Sequence, residues 1–360
     1  MYKVHLLPAL FGDSILIEYG KKSKPAYILI DGGPYYGYSK MMKGLKKVAP
    51  NLKELELLVV THIDIDHIDG IVRLLNQKKL PFAINEVWFN GYNEIKDLKS
   101  DIMGAKQGEF SSLLIKERGL NQNETFFKGK AVMVSNYNKL PEITLPGGMK
   151  LTLLSPGNQA LVKLKELWES ETDTDNDFAV IKSKLDSDSR YKPVAEDMLG
   201  DLVEDHATDE ASPDKSVPNL SSIAFIATYD QKTCLFAGDA TSEYLLKAIN
   251  PMLKKSGKSK LQLDAWKLAH HGSKKSNQVS LMDKIDTKNM LVSSNGDRYD
   301  HPDKECIANL LERNKPGLNF YFNYYSRQNK VWDDAALQKK YKYKAFYPAE
   351  GDGISFTLKA

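Results

Sequence analysis

The chain has 360 residues, and its 42% hydrophobic content can fill a sizeable core in one large domain or two ordinary ones. The 50 basic and 47 acidic residues leave a formal charge of +3, which excludes a strong global field for nucleic acid or anionic membrane, so any polyanion must be bound locally. Only Cys234 and Cys306 are present, which excludes a disulfide framework or zinc ribbon; with no signal-peptide pattern and no apolar run of about 18 residues, the expected setting is the cytoplasm, away from the membrane.

In chain order, the first element is a strand, followed by a turn at Gly12 and Asp13, then SILIEYG, a polar turn KKSKP and AYILIDGG, a β-hairpin ending in Asp31. YSKMMKGLKKV has a helical pattern, and LELLVV reads as a short buried strand running into VVTHIDIDHIDG, residues 59–70. Ile68, Ile71, Val72 and Leu75 follow at helical spacing, so a helix starts within or just after this His/Asp cluster. The cluster is therefore expected on a strand-to-helix loop.

The second half repeats the order. SSIAFIATYDQKTCLFAGDA predicts a hairpin ending in Asp239, SEYLLKAI a helix, and LDAWKLAHHGS a strand ending at histidine. His62 follows Asp31 by 31 positions and His270 follows Asp239 by 31, which suggests two related β-rich halves facing each other. Between them, the stretch at about 170–218 is acidic, polar and poor in aromatics, and reads as a partly mobile surface insertion in a single domain spanning 1–360. NFYFNYY, within residues 319–325, has two readings: a half-buried strand, or an aromatic surface interleaved with Lys and Arg that stacks on nucleic acid. It is also a candidate edge for pairing with another chain.

Alternate side chains of an extended segment share a face, so His62 and Asp64 can converge on one metal ion. A turn into a helix can swing Asp66 and His67 toward a second ion. Asp239 follows a buried strand, where a carboxylate can bridge two cations; His270 and His271 lie at another strand end, and His301 follows the strand-like NMLVSS. Five of the seven histidines thus gather at or just beyond strand ends, where loops build sites.

Taken together, these motifs make the chain resemble the metallo-β-lactamase fold superfamily, most closely the hydrolase domain of ComEC-type DNA-uptake proteins. The shared order is Gly12-Asp13-Ser14, Asp31-Gly32-Gly33, Thr61 to Gly70, Asn219 to Ser222, Gly238-Asp239, His270 to Ser273 and His301-Pro302. The resemblance implies an α+β fold, a four-layer αββα sandwich with the metals at one edge. It implies that His62 and Asp64 hold one ion, Asp66 and His67 the other, Asp239 bridges them, and His270 or His271 completes a site, with Asp31 orienting ligands from behind. Asp66 and His301 are the expected catalytic residues, His301 ligating, donating a proton to the leaving group or gripping a substrate oxygen. Asp64 stands where the superfamily usually has histidine, and this harder ligand shifts the expected pair of ions from zinc toward manganese or magnesium. Asp64, Asp66 and Asp239 together bring three negative charges against four from two divalent ions, leaving a modest pull on an anionic substrate. The expected activity is a phosphodiesterase or nuclease; an ester, thioester or lactam hydrolase and a non-catalytic binding protein are the alternatives.

Overall fold

The computed structural model describes residues 1–96, 106–171, 211–313 and 316–358, so most of the acidic stretch expected at about 170–218 lies outside the described residues. Strands β1 (Tyr2–Leu6), β2 (Ile15–Lys21), β3 (Lys24–Ile30), β4 (Leu57–Val59) and β5 (Val87–Trp88) belong to one sheet. A second sheet contains β6 (Glu142–Thr144), β7 (Lys150–Ser155), β8 (Ala224–Tyr229), β9 (Lys232–Phe236), β10 (Ala265–Lys267), β11 (Asn289–Val292), β12 (Asn319–Phe322) and β13 (Lys344–Phe346). The last strand, β14 (Ile354–Leu358), returns to the first sheet, whose order is β14-β1-β2-β3-β4-β5; the second runs from β13 to β6 in descending order.

Strand alternation explains why the sheets stack. Val4, Ile15, Ile17, Ile28 and Ile30 point inward and meet Leu151, Leu153, Phe225 and Phe236 of the other sheet in one buried cluster. The alternate residues Leu16, Leu29 and Leu58 face outward, under Met41 and Leu45 of α1 (Tyr38–Val48), Ile68 and Ile71 of α2 (Ile65–Leu75), and Leu161 and Leu164 of a helix at Asn158–Glu171. On the far side, Ile226, Leu235, Trp266 and Met290 pack beneath helices Ser242–Ser256 and Lys304–Arg313. Both faces of both sheets are covered, which is the expected αββα order. Among the described residues, no helix is long and apolar enough to cross a membrane.

Each sheet contains a hairpin followed by a helix and a parallel strand: β3 pairs with β4 through Ile30 and Val59, and β9 with β10 through Phe236 and Lys267. Parallel pairing places strand C-termini at the same edge, so the loops after β3, β4, β9, β10 and β11 open together. Asp31 sits one residue beyond its paired strand and Asp239 three beyond, so the equal sequence spacing does not make these two aspartates structural equivalents.

The aromatic run at 319–325 is not an open edge, and most of its rings are packed rather than displayed. β12 lies between β11 and β13; Phe320 and Phe322 are buried in the helix-side core, while Tyr321 stacks on Phe346 at 4.7 Å. The edges of this sheet are β6 and β13 instead, because the chain adds a further parallel strand after the aromatic one.

Candidate metal centre

β4 ends at Val59, and Asp64 is still extended (φ −67°, ψ 141°) before α2 begins at Ile65. Extended backbone up to Asp64 and helix thereafter turn His62, Asp66 and His67 into one buried space, closed from the second sheet by Asp239 and His271. Two glycines make the loop this tight. A Cβ on Gly70 would lie 2.0 Å from the Gly32 carbonyl oxygen, and one on Gly12 would lie 1.9 Å from that of Asp66.

The rings are held from behind. Asp31 accepts from the Thr61 backbone N–H at 2.8 Å and from the Thr61 hydroxyl at 2.7 Å, and its Oδ2 is 2.8 Å from His67 Nδ1. Having given its hydrogen to Asp31, Thr61 Oγ1 accepts from His62 Nδ1 at 2.9 Å. His271 Nδ1 donates to the Ser293 carbonyl at 2.9 Å. All three imidazoles therefore turn Nε2 toward the centre. His67 Nε2 lies 3.4 Å from Asp239 Oδ1, and His271 Nε2 lies 3.1 Å from Asp66 Oδ2.

His62 Nε2, His67 Nε2 and Asp239 Oδ1 are buried without a hydrogen-bond partner; the 3.4 Å approach of the last two lacks hydrogen-bond alignment. Such burial is costly unless something else occupies the space between them. His62, His67 and Asp239 form one group with ligand atoms within 4.8 Å of one another, and Asp66, His67 and His271 form another. Imidazole and carboxylate donors without thiolate fit divalent zinc, manganese or iron. Asp64 and His270 stand at the rim: Asp64 Oδ2 is 3.5 Å from His62 Nε2 with its side chain 37% exposed, and His270 Nε2 is 3.7 Å from Asp239 Oδ2.

The electrostatics follow from this crowding. Burial pulls the His67 imidazole down, but Asp239, Asp66 and Asp31 outweigh it and leave its pKa well above the usual value. Burial likewise opposes protonation of His271, yet Asp239 and Asp13 push it up to about 10. Burial raises the Asp66 carboxyl, while His67 and His271 pull it down to about 2, and Asp239 is driven well below the usual range by the same rings and His270. A cation entering the centre would therefore have to displace protons favoured on His67 and His271.

Three further residues contribute that motif reading does not single out. Lys267 is fully buried in β10 and donates to Asp13 Oδ2 at 2.6 Å, while Asp13 Oδ1 lies 3.3 Å from His271 Nδ1. A lysine inside the otherwise apolar AWKLA was the available signal. Asp214, from the end of the acidic stretch, accepts from Asn219 and Ser276 and lies 3.0 Å from His270 Nδ1; nothing separates it from its acidic neighbours in the sequence. Asp303 does the same for His301, at 3.0 Å from Nδ1. His301 stands outside both ligand groups, its ring 5.2 Å from that of His270, and burial lowers its pKa more than Asp303 restores it.

Residues 7–97 match the family model of the metallo-beta-lactamase superfamily. That superfamily is mostly metal-dependent hydrolases, with some oxygenases and non-catalytic members. No curated protein matches the chain significantly. Among solved structures, it is similar to Zn(2+)-bound PqqB from Methylobacterium extorquens at 12% identity and a TM-score of 0.41, over 99% of this chain and 100% of that one. It is similar to CmlA, a diiron β-hydroxylase from Streptomyces venezuelae, at 9% identity and a TM-score of 0.41, over 99% of this chain and 54% of that one. A metallo-beta-lactamase HARLDQ motif mutant from Cronobacter sakazakii gives 12% identity and a TM-score of 0.33, over 73% and 70%. The metals and reactions of these distant likenesses remain their own.

Proposed function

We propose that the chain is a dinuclear metal-dependent phosphodiesterase, acting on nucleic acid or a smaller phosphodiester. The observation that carries the reading is the set of inward-facing, partnerless ligand atoms on His62, His67 and Asp239 beside Asp66 and His271. His62, Asp64 and Asp239 would hold one ion, and Asp66, His67, His271 and the bridging Asp239 the other. His271 takes the completing role because its Nε2 lies 3.1 Å from Asp66 Oδ2 inside the buried group, whereas His270 Nε2 stands at the rim, 3.7 Å from Asp239 Oδ2. Two bound divalent ions would supply a hydroxide near neutral pH and neutralise charge on the substrate oxygens.

The chain's own residues do the rest. Asp31 and Thr61 fix His67 and His62, so that neither ring has to reorganise during turnover. His301 keeps its proton on Nδ1 against Asp303, which leaves Nε2 free to accept one from a water or a substrate hydroxyl. The carboxylate of Asp64 in a position usually held by imidazole supports manganese as the favoured metal. Support for a phosphodiester comes from the ComEC-type motif order, Gly12-Asp13-Ser14 through His301-Pro302.

The test is hydrolysis of bis(p-nitrophenyl) phosphate by the full chain with manganese or zinc, alongside p-nitrophenyl acetate and a β-lactam. We expect metal-dependent phosphodiester cleavage that falls at least about 1,000-fold in Asp66→Ala, with loss of bound metal. Cleavage of the acetate or lactam alone would replace the phosphodiester reading. Two tightly held zinc ions, with no gain from manganese, would reject the metal preference.

A further inference from the structure

Beside His301, two loops from opposite halves of the chain build an aromatic wall. Phe11 lies in the loop after β1, and Tyr299 lies in the loop after β11. Their rings meet edge to face at 6.0 Å, with the Arg298 guanidinium 5.3 Å from the Phe11 centroid and 5.1 Å from that of Tyr299. The Tyr299 ring is 6.3 Å from His301 and only 33° from parallel to it, and the residue is 40% exposed. His301 in turn lies 6.5 Å from His271, so the wall continues directly into the metal centre.

This loop is held in place before any ligand arrives. Asn295 N–H donates to the Leu10 carbonyl at 2.9 Å, Gly296 N–H to Ser294 Oγ at 3.0 Å, Asp297 N–H to Asn295 Oδ1 at 3.1 Å, and Asp300 N–H to the Gly296 carbonyl at 3.1 Å. Leu10 N–H also donates to the Tyr324 hydroxyl at 2.7 Å, joining the Phe11 loop to the same frame. An exposed tyrosine on a braced loop loses little freedom on binding, which is the property of a stacking platform. Asp297, which accepts from Asn295 Nδ2, and Asp300, 3.5 Å from the Arg327 guanidinium, flank Arg298 and Tyr299 in the chain.

We infer that Tyr299, with Phe11 and Arg298, forms a subsite that stacks a nucleobase next to the scissile phosphodiester. The inference rests on the phosphodiesterase reading and narrows its substrate class to nucleotides. Stacking tolerates any base because each presents a π-face, so the subsite selects nucleotides without reading their sequence.

The experiment compares thymidine 5′-(p-nitrophenyl phosphate) with methyl p-nitrophenyl phosphate, which share a leaving group and differ in the base. In the metal-loaded wild type the thymidine ester should have the higher kcat/KM. Tyr299→Ala should reduce that preference about tenfold, mainly through KM, and Tyr299→Phe should retain it. An unchanged preference in Tyr299→Ala overturns the inference while leaving the phosphodiesterase reading intact. Cleavage of neither ester would count against the phosphodiesterase reading, and the subsite is then judged by equilibrium dialysis of thymidine 5′-monophosphate. Binding about tenfold weaker in Tyr299→Ala supports it, and equal binding overturns it.

Discussion

Lys267→Met removes the ammonium that faces Asp13 in a fully buried pair separated by 2.6 Å. Removing one partner of a buried ion pair costs about 3–5 kcal/mol, because the remaining charge is left without compensation. Which end of that range applies depends on His271, 3.3 Å from the other Asp13 oxygen. In metal-free protein, His271 is raised to about 10 and remains protonated at neutral pH, so it partly replaces the lost ammonium and the cost sits near 3 kcal/mol. When a cation displaces the His271 proton, Asp13 faces a neutral ring and the cost rises toward about 5 kcal/mol. With an unfolding entropy of about 0.76 kcal/mol/K for 360 residues, the melting temperature should fall about 4 °C without metal and about 7 °C with it. The difference of about 2 kcal/mol corresponds to roughly 30-fold weaker metal binding. Scanning calorimetry in EDTA and in excess metal measures the first quantity, and competition with a chromophoric chelator the second. Lys267→Met/Asp13→Asn should recover most of both losses. Melting within 1 °C of wild type, or metal affinity that does not change, would refute the reasoning.

Metal binding should strengthen as pH rises from 6.5 toward about 10, because the folded-state pKa of His271 reaches about 10 and that of His67 is also raised. The sign follows from these shifts: in metal-free protein their stabilisation is fully present below the unfolded value near 6.5 and is lost on raising pH, while the metal must displace the same protons. Calorimetry in buffers of different ionisation enthalpy should detect proton release at pH 7.5; affinity independent of pH with no released proton would contradict it. Gly70→Ala should lower stability by at least about 1–3 kcal/mol and reduce bound metal, since its Cβ would meet the Gly32 carbonyl at 2.0 Å. A variant with wild-type melting and full metal content would show that this close approach is dispensable.

Much of the architecture was legible because local pattern and tertiary requirement agree. The apolar run Leu57–Val59, the switch to helical spacing after Asp66 and the hairpin before Asp31 each follow from residues near one another, and each is found at its expected place. His62, Asp66 and His67 are similarly local: one strand end and one helical turn bring them together. The aromatic run 319–322 shows the limit. Its alternation correctly describes a strand, but alternation cannot say whether the exposed-looking ring Tyr321 meets solvent or, as here, stacks on Phe346 from the neighbouring strand.

The sequence by itself determined which donor types were available and that most of them lie at strand ends. Only the tertiary structure decided that His271 rather than His270 meets Asp66, that Asp214 reaches His270 from the end of the acidic stretch, and that Lys267 neutralises Asp13 behind the centre. Those choices join residues 205, 56 and 254 positions apart, where spacing along the chain carries no geometric information. They depend on how two sheets stack and which loops their parallel strands bring to a common edge.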